Sequence, residues 1–460
     1  MESESALPPF SKTVRMISLG CPKNLVDSEV MLGLLQKEGW IPSLGEEAEV
    51  VVINTCGFIR EAQEESIETI LAMISAKAEG KLRKVVVTGC LPQRFGPQLM
   101  RELPEVDLFL GAGEFHRIAH HLKKPGRGPA RSNRCMPRPE YLYDHRTPRL
   151  LTSAAGWAYI KISEGCNNHC SYCTIPGIRG KLRSRRQTSI VQEAKQMVSR
   201  GIREINLIAQ DTTAYGRDLG QGTNLPGLLR KLVQIEGLEW IRLLYAHPRH
   251  ITGELLALMA EEEKICKYLD IPLQHIDDRM LQAMNRGVSS RAIQGLLDQL
   301  RERIPGIILR TSLMVGFPGE TDKRFDRLLD FVRKFQFERL GVFRYSREQG
   351  TRAAKFPGQV SEAVKLRRYH RVMALQKEIS RQKQKRLVGR RLPVLVDRPG
   401  KSAGILWEGR TPGQAPEVDG LTLLTKGRCR PGEVVEAVIT KATAYDLYGE
   451  VIDPSGSPLD

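Results

Sequence analysis

The sequence predicts an α/β protein in three parts: an N-terminal parallel sheet covered by helices, a partial (β/α)6 barrel, and a small C-terminal antiparallel β-barrel. Three observations lead there. Short β-branched runs alternate with helical stretches over residues 11–121, six strand and helix units follow from Tyr159, and short β-runs broken by glycine, proline and acidic turns fill 391–452. At about 150 residues per domain, 460 residues suffice for three such bodies. The expected parts are 11–125, a basic linker at 126–151, 152–382 and 383–454.

In the first part, strands are expected at 14–20, 50–55 and 84–89, and each is followed at once by a cysteine: Cys21, Cys56 and Cys90. Ligands of an open α/β sheet sit outside the carboxyl ends of its strands, so these cysteines converge on one crevice despite gaps of about 35 residues. One buried cysteine at a strand end is often a small core hydrophobe. Three at equivalent positions, two preceded by Gly20 and Gly89 and one followed by Gly57, read as a site of three thiolates.

The second part opens with a strand at 159–162 that delivers the loop Glu164-Gly165-Cys166-Asn167-Asn168-His169-Cys170-Ser171-Tyr172-Cys173. Its spacing is C-x3-C-x2-C. Three thiolates so close together hold three irons of a cubane four-iron, four-sulfur cluster and leave the fourth iron open. A structural zinc loop, which wants four ligands in separated pairs, and a plain electron-transfer cluster are the competing readings. His169 is read as a surface residue, because a fourth ligand would close the open iron. Further strands are expected at 204–209, 240–246, 268–272, 307–315 and 340–345, separated by helices at 189–200, 225–234, 253–263, 278–286 and 321–334. A barrel of this kind works at the carboxyl ends of its strands, where Gln210, His247, Gln274, His275 and Gly316 fall. Each of these also suits a loop cap.

The formal charge of +17 invites a nucleic-acid partner. Nine Lys/Arg stand against two acids between Arg117 and Arg149, and six against Glu378 between Lys377 and Arg390. Residues 391–460 carry eight basic and ten acidic side chains, so the positive charge lies elsewhere. That segment holds no metal pair or catalytic dyad and reads as a recognition module, docked by the helical stretch 377–390. Nine cysteines, six of them clustered or at strand ends, suit metal ligation in a reducing compartment better than disulfides. Cys135, Cys266 and Cys429 are left as structural. With no apolar h-region at the start and no membrane-length apolar run, a soluble cytoplasmic protein is expected.

Together, the cysteine-bearing sheet, the C-x3-C-x2-C core and the terminal barrel resemble the methylthiotransferase family of radical S-adenosylmethionine (SAM) enzymes, whose terminal barrel is called a TRAM domain. Ser18-Leu19-Gly20-Cys21-Pro22-Lys23-Asn24, Val26-Asp27-Ser28-Glu29, Ile175-Pro176-Gly177-Ile178-Arg179-Gly180, Tyr268-Leu269-Asp270-Ile271-Pro272-Leu273-Gln274-His275 and Ala415-Pro416-Glu417-Val418-Asp419-Gly420 resemble the branch that modifies a ribosomal protein. The branch that modifies tRNA adenosine usually has Gln-Met-Asn after the first cysteine.

The resemblance implies two 4Fe-4S clusters. One, on Cys166, Cys170 and Cys173, would bind SAM at its open iron; the other, on Cys21, Cys56 and Cys90, would carry sulfur. It also implies Tyr172 beside the SAM adenine, Gln210 at the SAM amino acid moiety, and Gly316, within Leu313 to Glu320, where backbone approaches SAM. The implied reaction adds a methylthio group to the β-carbon of an aspartate in small-subunit ribosomal protein S-twelve. That carbon has no acidic C–H bond and no leaving group, which is why radical chemistry is needed. An electron donor such as flavodoxin or ferredoxin, a monomeric state and no membrane contact complete the expectation, with the sulfur donor open. Deleting 391–460 is expected to leave SAM cleavage largely intact. The rivals are methylthiolation of tRNA adenosine and, in another class, a non-enzymatic iron-sulfur RNA-binding protein, which leaves the six-strand core unexplained.

Overall fold

The structure is a computed structural model that describes residues 12–452 except 46, 124–131, 136–138 and 221. Part of the expected linker therefore lies outside the described residues. Six parallel strands form the first sheet, in the order Ile41–Pro42, Thr13–Ser18, Ala48–Thr55, Leu82–Gly89, Leu108–Gly111 and Ser132–Arg134. Its central strands are apolar on both faces, as a parallel sheet covered on both sides requires. Val50, Val52 and Val86 pack with Val26, Val30 and Met31 of the helix Pro22–Lys37. The alternate residues Val51, Ile53, Val85 and Val87 pack with Ile70 and Leu99 of the helices Arg60–Ala78 and Cys90–Glu102 on the other side.

The second sheet is also six-stranded and parallel. Its strands lie in chain order: Trp157–Lys161, Glu204–Ile208, Trp240–Leu243, Ile265–Asp270, Ile308–Val315 and Arg339–Arg344. Helices cover its outer face, where Ile160, Ile205, Leu207, Ile241 and Leu269 join one large core. One of these helices, Ser290–Arg303, is not among the sequence expectations; Ser289 caps it by accepting the Ala292 N–H, and Ile293, Leu297 and Leu300 are its buried stripe.

The inner face of this open barrel is not left to solvent. Tyr159, Ile208, Trp240, Leu244 and Tyr268 share a core with Val26 and Val30 from the N-terminal helix and with Leu395 and Ala415 from the last domain. Each fully buried side chain of this size contributes about 1.5–3 kcal/mol. All three parts therefore meet inside the barrel.

The C-terminal part is a closed five-stranded barrel of Arg391–Pro399, Trp407–Arg410, Thr422–Lys426, Val434–Ala442 and Leu447–Val451. Its seams are antiparallel apart from the pair Thr422–Lys426 and Leu447–Val451, which run parallel. The helix Glu362–Lys385 ties it to the core: Ser380 Oγ donates to the Ala444 carbonyl at 2.6 Å and Gln384 Nε2 to that of Tyr445 at 2.8 Å.

The stretch from Arg410 to Asp419 goes further, running across the inner face of the partial barrel as its floor. Arg410 reaches Glu204 at 2.6 Å and Asp397 at 2.8 Å, while Glu204 also holds Arg242 at 2.8 Å. Arg242 donates to the Pro412 carbonyl, Tyr268 to Asp419 and Tyr159 to Glu417. The segment read from sequence as a recognition module is thus part of the core's own packing. No helix among the described residues is long and apolar enough to cross a membrane.

Candidate functional site

The strand Trp157–Lys161 and the short pair Ser163–Glu164 lead into Gly165, whose φ of +75° and a Cβ that would lie 2.1 Å from the Lys181 carbonyl oxygen demand glycine. The chain then turns outward through Cys166, Cys170 and Cys173, all partly buried. The loop is braced on several sides. The Cys166 N–H donates to Gly180, the Asn167 side chain accepts from the Leu182 N–H, and Asn168 Nδ2 donates to Asp211 at 2.7 Å. Two backbone N–H groups point at sulfur, Asn168 to Cys166 and Ile175 to Cys173, both at 3.4 Å. Arg286 Nη1 donates to Cys170 Sγ at 3.4 Å. His169 is exposed, as expected of a residue outside the ligand set.

The second triplet lies at the carboxyl ends of the first sheet. Cys21 opens the helix Pro22–Lys37, Cys56 follows the strand Ala48–Thr55, and Cys90 starts the helix Cys90–Glu102. The neighbouring glycines let these loops converge. A Cβ on Gly20 would lie 2.8 Å from that of Cys56, one on Gly57 would meet the Cys90 backbone at 2.9 Å, and one on Gly89 would strike Asn54 Oδ1 at 2.4 Å.

The thiol chemistry fits metal ligation. Burial, and then the sulfurs beside it, pushes Cys173 up to about 12. Burial does the same to Cys56, with Cys90 and Cys21 adding to it, also to about 12, and Cys90 is raised against the pull of Arg179. As free thiols these groups stay protonated at neutral pH; a bound metal would displace the proton. A single zinc with Zn–S near 2.3 Å would draw its sulfurs to about 3.8 Å. Neither triplet is that tight: among the described residues, the group of three potential ligands mutually within 4.8 Å is Asp211, His247 and His250. Three cysteines at each site match the ligand set of a cubane cluster with one open iron.

Asp211 and its two histidines are occupied as a brace. Asp211 accepts from Asn168, from the Thr213 hydroxyl and from the Ala214 N–H, and its Oδ2 lies 2.8 Å from His250 Nδ1. His247 Nδ1 accepts the Arg249 N–H, and burial, then Arg286, lowers its pKa to about 3. Burial alone would raise the Asp211 carboxyl, yet His250 and its other donors hold it at about 2. The group holds the cysteine loop to the next strand end.

Between the triplets lies a buried ionic network. Arg179 donates to Asp27 at 2.7 Å, to Asn24 Oδ1 at 2.6 Å and to Cys90 Sγ at 3.4 Å. Lys161 contacts both Asp27 and Glu164, the residue at the root of the Cys166 loop. Burial would raise Glu164, but Lys161 and Arg179 hold it at about 2. One guanidinium therefore touches a sulfur of one triplet and the root of the other. Sequence reading missed Arg179, Asp27, Lys161 and Arg286 as site residues; the available signal was a lysine facing inward on the apolar strand at 157–161.

The remaining expected residues fall around the Cys166 loop. Tyr172 is buried with Met280, Met284, Phe317 and Tyr345, edge-on to Phe317 at 6.5 Å. Gln210 donates to Glu164 at 3.3 Å, and its buried side-chain oxygen has no partner, leaving an acceptor beside the loop. Gly316 has φ +74°, and a Cβ there would lie 2.2 Å from Lys365 Cγ, so the helix Glu362–Lys385 gives it a packing reason of its own. His275 is buried against Glu320, and Gln274 sits at φ +72°, bridging Leu313.

Residues 160–332 match the Radical SAM superfamily, residues 13–111 the uncharacterized protein family UPF0004, and residues 388–452 the TRAM domain. The chain is 49% identical over 444 residues to the ribosomal protein uS12 methylthiotransferase RimO of Geotalea uraniireducens (strain Rf4), covering 96% of this chain and 99% of that one. It is 50% identical over 445 residues to the protein of that name from Syntrophotalea carbinolica (strain DSM 2380 / NBRC 103641 / GraBd1), covering 96% and 98%. Among solved structures, the radical S-adenosylmethionine methyltransferase TsrM from Kitasatospora setae, with cobalamin and a [4Fe-4S] cluster bound, superposes with a TM-score of 0.53. It shares 17% identity over 73% of this chain and 75% of that one, a likeness of fold alone.

Proposed function

Because the chain belongs to the RimO family of ribosomal protein uS12 methylthiotransferases, we propose that it adds a methylthio group to the β-carbon of an aspartate in that small-subunit protein. The observation that carries this reading is the pair of cysteine triplets, one at the carboxyl ends of each parallel sheet, joined through Arg179.

In this reading Cys166, Cys170 and Cys173 hold a 4Fe-4S cluster whose open iron takes SAM, and Cys21, Cys56 and Cys90 hold a second one. When bound, these groups supply the one-electron cleavage of SAM, the hydrogen abstraction, and the sulfur and methyl that are transferred. The chain's own part is placement and shielding. Gln210 offers its free carbonyl oxygen to the N–H of the SAM amino group, and Tyr172 with Phe317 walls the adenine side. Gly316 supports that wall through its contact with Lys365. Arg286 and Arg179 each place positive charge on one sulfur of a triplet, which favours the thiolate form. The floor made by the N-terminal helix and residues 410–419 keeps water from the reacting carbon. A flavodoxin or ferredoxin as electron donor, action as a monomer and a cytoplasmic setting belong to the same reading.

The test is mass spectrometry of uS12 and of tRNA from cells with and without this protein. The expected result is the loss of one methylthio group from uS12 alone. Loss of methylthio-adenosine from tRNA with uS12 unchanged would overturn the substrate and leave the radical chemistry standing.

A further inference from the structure

Among the described residues, the buried cations around the inner face of the barrel are ion-paired or touch a sulfur, whereas Lys23 has the Tyr245 side chain as its hydrogen-bond partner and Cys21 as a nearby sulfur. Lys161 and Arg179 share Asp27 and Glu164, Arg242 and Arg410 share Glu204, and Arg286 reaches Cys170. Lys23 differs. It stands two positions after Cys21, in the first turn of the helix Pro22–Lys37, and is only 8% exposed. Among the described residues no carboxylate lies within 4.0 Å of its Nζ.

Its neighbours explain why the charge stays open. The Nζ lies 3.3 Å from the centroid of the Tyr245 ring. Asp270, the nearby acid, is already committed, its Oδ1 to Arg310 at 2.9 Å and its Oδ2 to the Tyr245 N–H at 3.0 Å. Tyr245 itself sits at φ +62°, a left-handed conformation costly for an aromatic residue. The Asp270 carboxylate on its N–H and the Thr212 N–H on its carbonyl hold it there. Backbone strain, an aromatic platform and a buried ammonium with no carboxylate in contact thus coincide close to Cys21. A buried ammonium is costly unless an anion completes it.

Resting on the function proposed above, we infer that Lys23 selects the substrate residue by receiving its side-chain carboxylate, with Tyr245 as the platform beneath. The chemistry suits an aspartate. Its carboxylate carbon is bonded directly to the β-carbon, so anchoring the carboxylate fixes the β C–H one bond away, beside Cys21. A glutamate held the same way would present its γ-carbon instead, and an asparagine would offer no charge.

The experiment uses the reconstituted full-length enzyme with purified uS12 and with uS12 whose target aspartate is changed to Asn. Binding and methylthio product are both measured, with iron content as the check on integrity. Wild-type enzyme is expected to bind the Asn form about 10- to 100-fold more weakly, the range of one charge-assisted hydrogen bond. Lys23→Met, close in volume and apolar, should weaken binding of the native form by a similar factor and bind the two forms alike. Lys23→Arg, which keeps a cation, should keep the preference for aspartate. Should Lys23→Met lose iron, Lys23→Gln takes its place in the same comparison. Equal weakening of both forms would mean that Lys23 serves the cysteine site and not the substrate, and an undiminished preference for aspartate would also overturn the inference. Failure of the underlying function reads differently: wild-type enzyme would then leave native uS12 unmodified.

Discussion

Replacing Cys166, Cys170 and Cys173 together by Ala is expected to abolish reductive SAM cleavage and to remove about half of the roughly eight irons that two cubane clusters hold. The reverse set, Cys21, Cys56 and Cys90 to Ala, should lose the same share of iron yet still release 5'-deoxyadenosine, while methylthio product vanishes. The asymmetry follows from position. The first triplet lies on a loop beside Gln210, with its unpartnered acceptor, and Tyr172; the second lies at the strand ends of the other sheet. Anaerobic reconstitution, iron analysis and chromatography of 5'-deoxyadenosine decide it. Cleavage that survives loss of the first triplet would sink the assignment of the radical site. Product that survives loss of the second would show that it carries no sulfur.

The two sites were legible in the sequence for different reasons. The C-x3-C-x2-C loop is local, so its spacing speaks directly. Cys21, Cys56 and Cys90 became legible only because short continuous β-branched runs alternating with helical stretches reveal parallel strands, and equivalent strand ends meet in space. The network between the sites was hidden, since Arg179 finds Asp27 across 152 residues and nothing in either local sequence names the other. The helix Ser290–Arg303 was missed because its apolar stripe is thin, with Ile293, Leu297 and Leu300 set among polar residues. Gly316 has a packing reason that its own sequence did not show, because its missing Cβ makes room for Lys365. Formal charge did not show where the charges of the last segment point. Asp397, Glu417, Asp419 and Arg410 are counted in the slightly acidic last segment, yet they face the barrel floor and not a partner.

That floor leads to the opposite of what a detachable module would give. Removing residues 391–460 is expected to destroy SAM cleavage along with uS12 modification, although no cysteine ligand is lost. Glu204 is fully buried, and Arg410 supplies one of its two guanidinium partners. Without Asp419 and Glu417, the hydroxyls of Tyr268 and Tyr159 also face an open lumen. Leaving a buried ion half-compensated costs about 3–5 kcal/mol, and 1.4 kcal/mol is already a tenfold change in an equilibrium. The single change Arg410→Met should cost stability in that range and be read in calorimetry as a lower temperature of the first unfolding transition, because Asp397 loses its partner at the same time as Glu204. The truncated chain should unfold earlier still, with 5'-deoxyadenosine release below about a tenth of the full-length rate. Cleavage at the full rate by a soluble, iron-loaded truncation would show that the partial barrel closes its own floor, and that the last domain is joined to it for recognition alone.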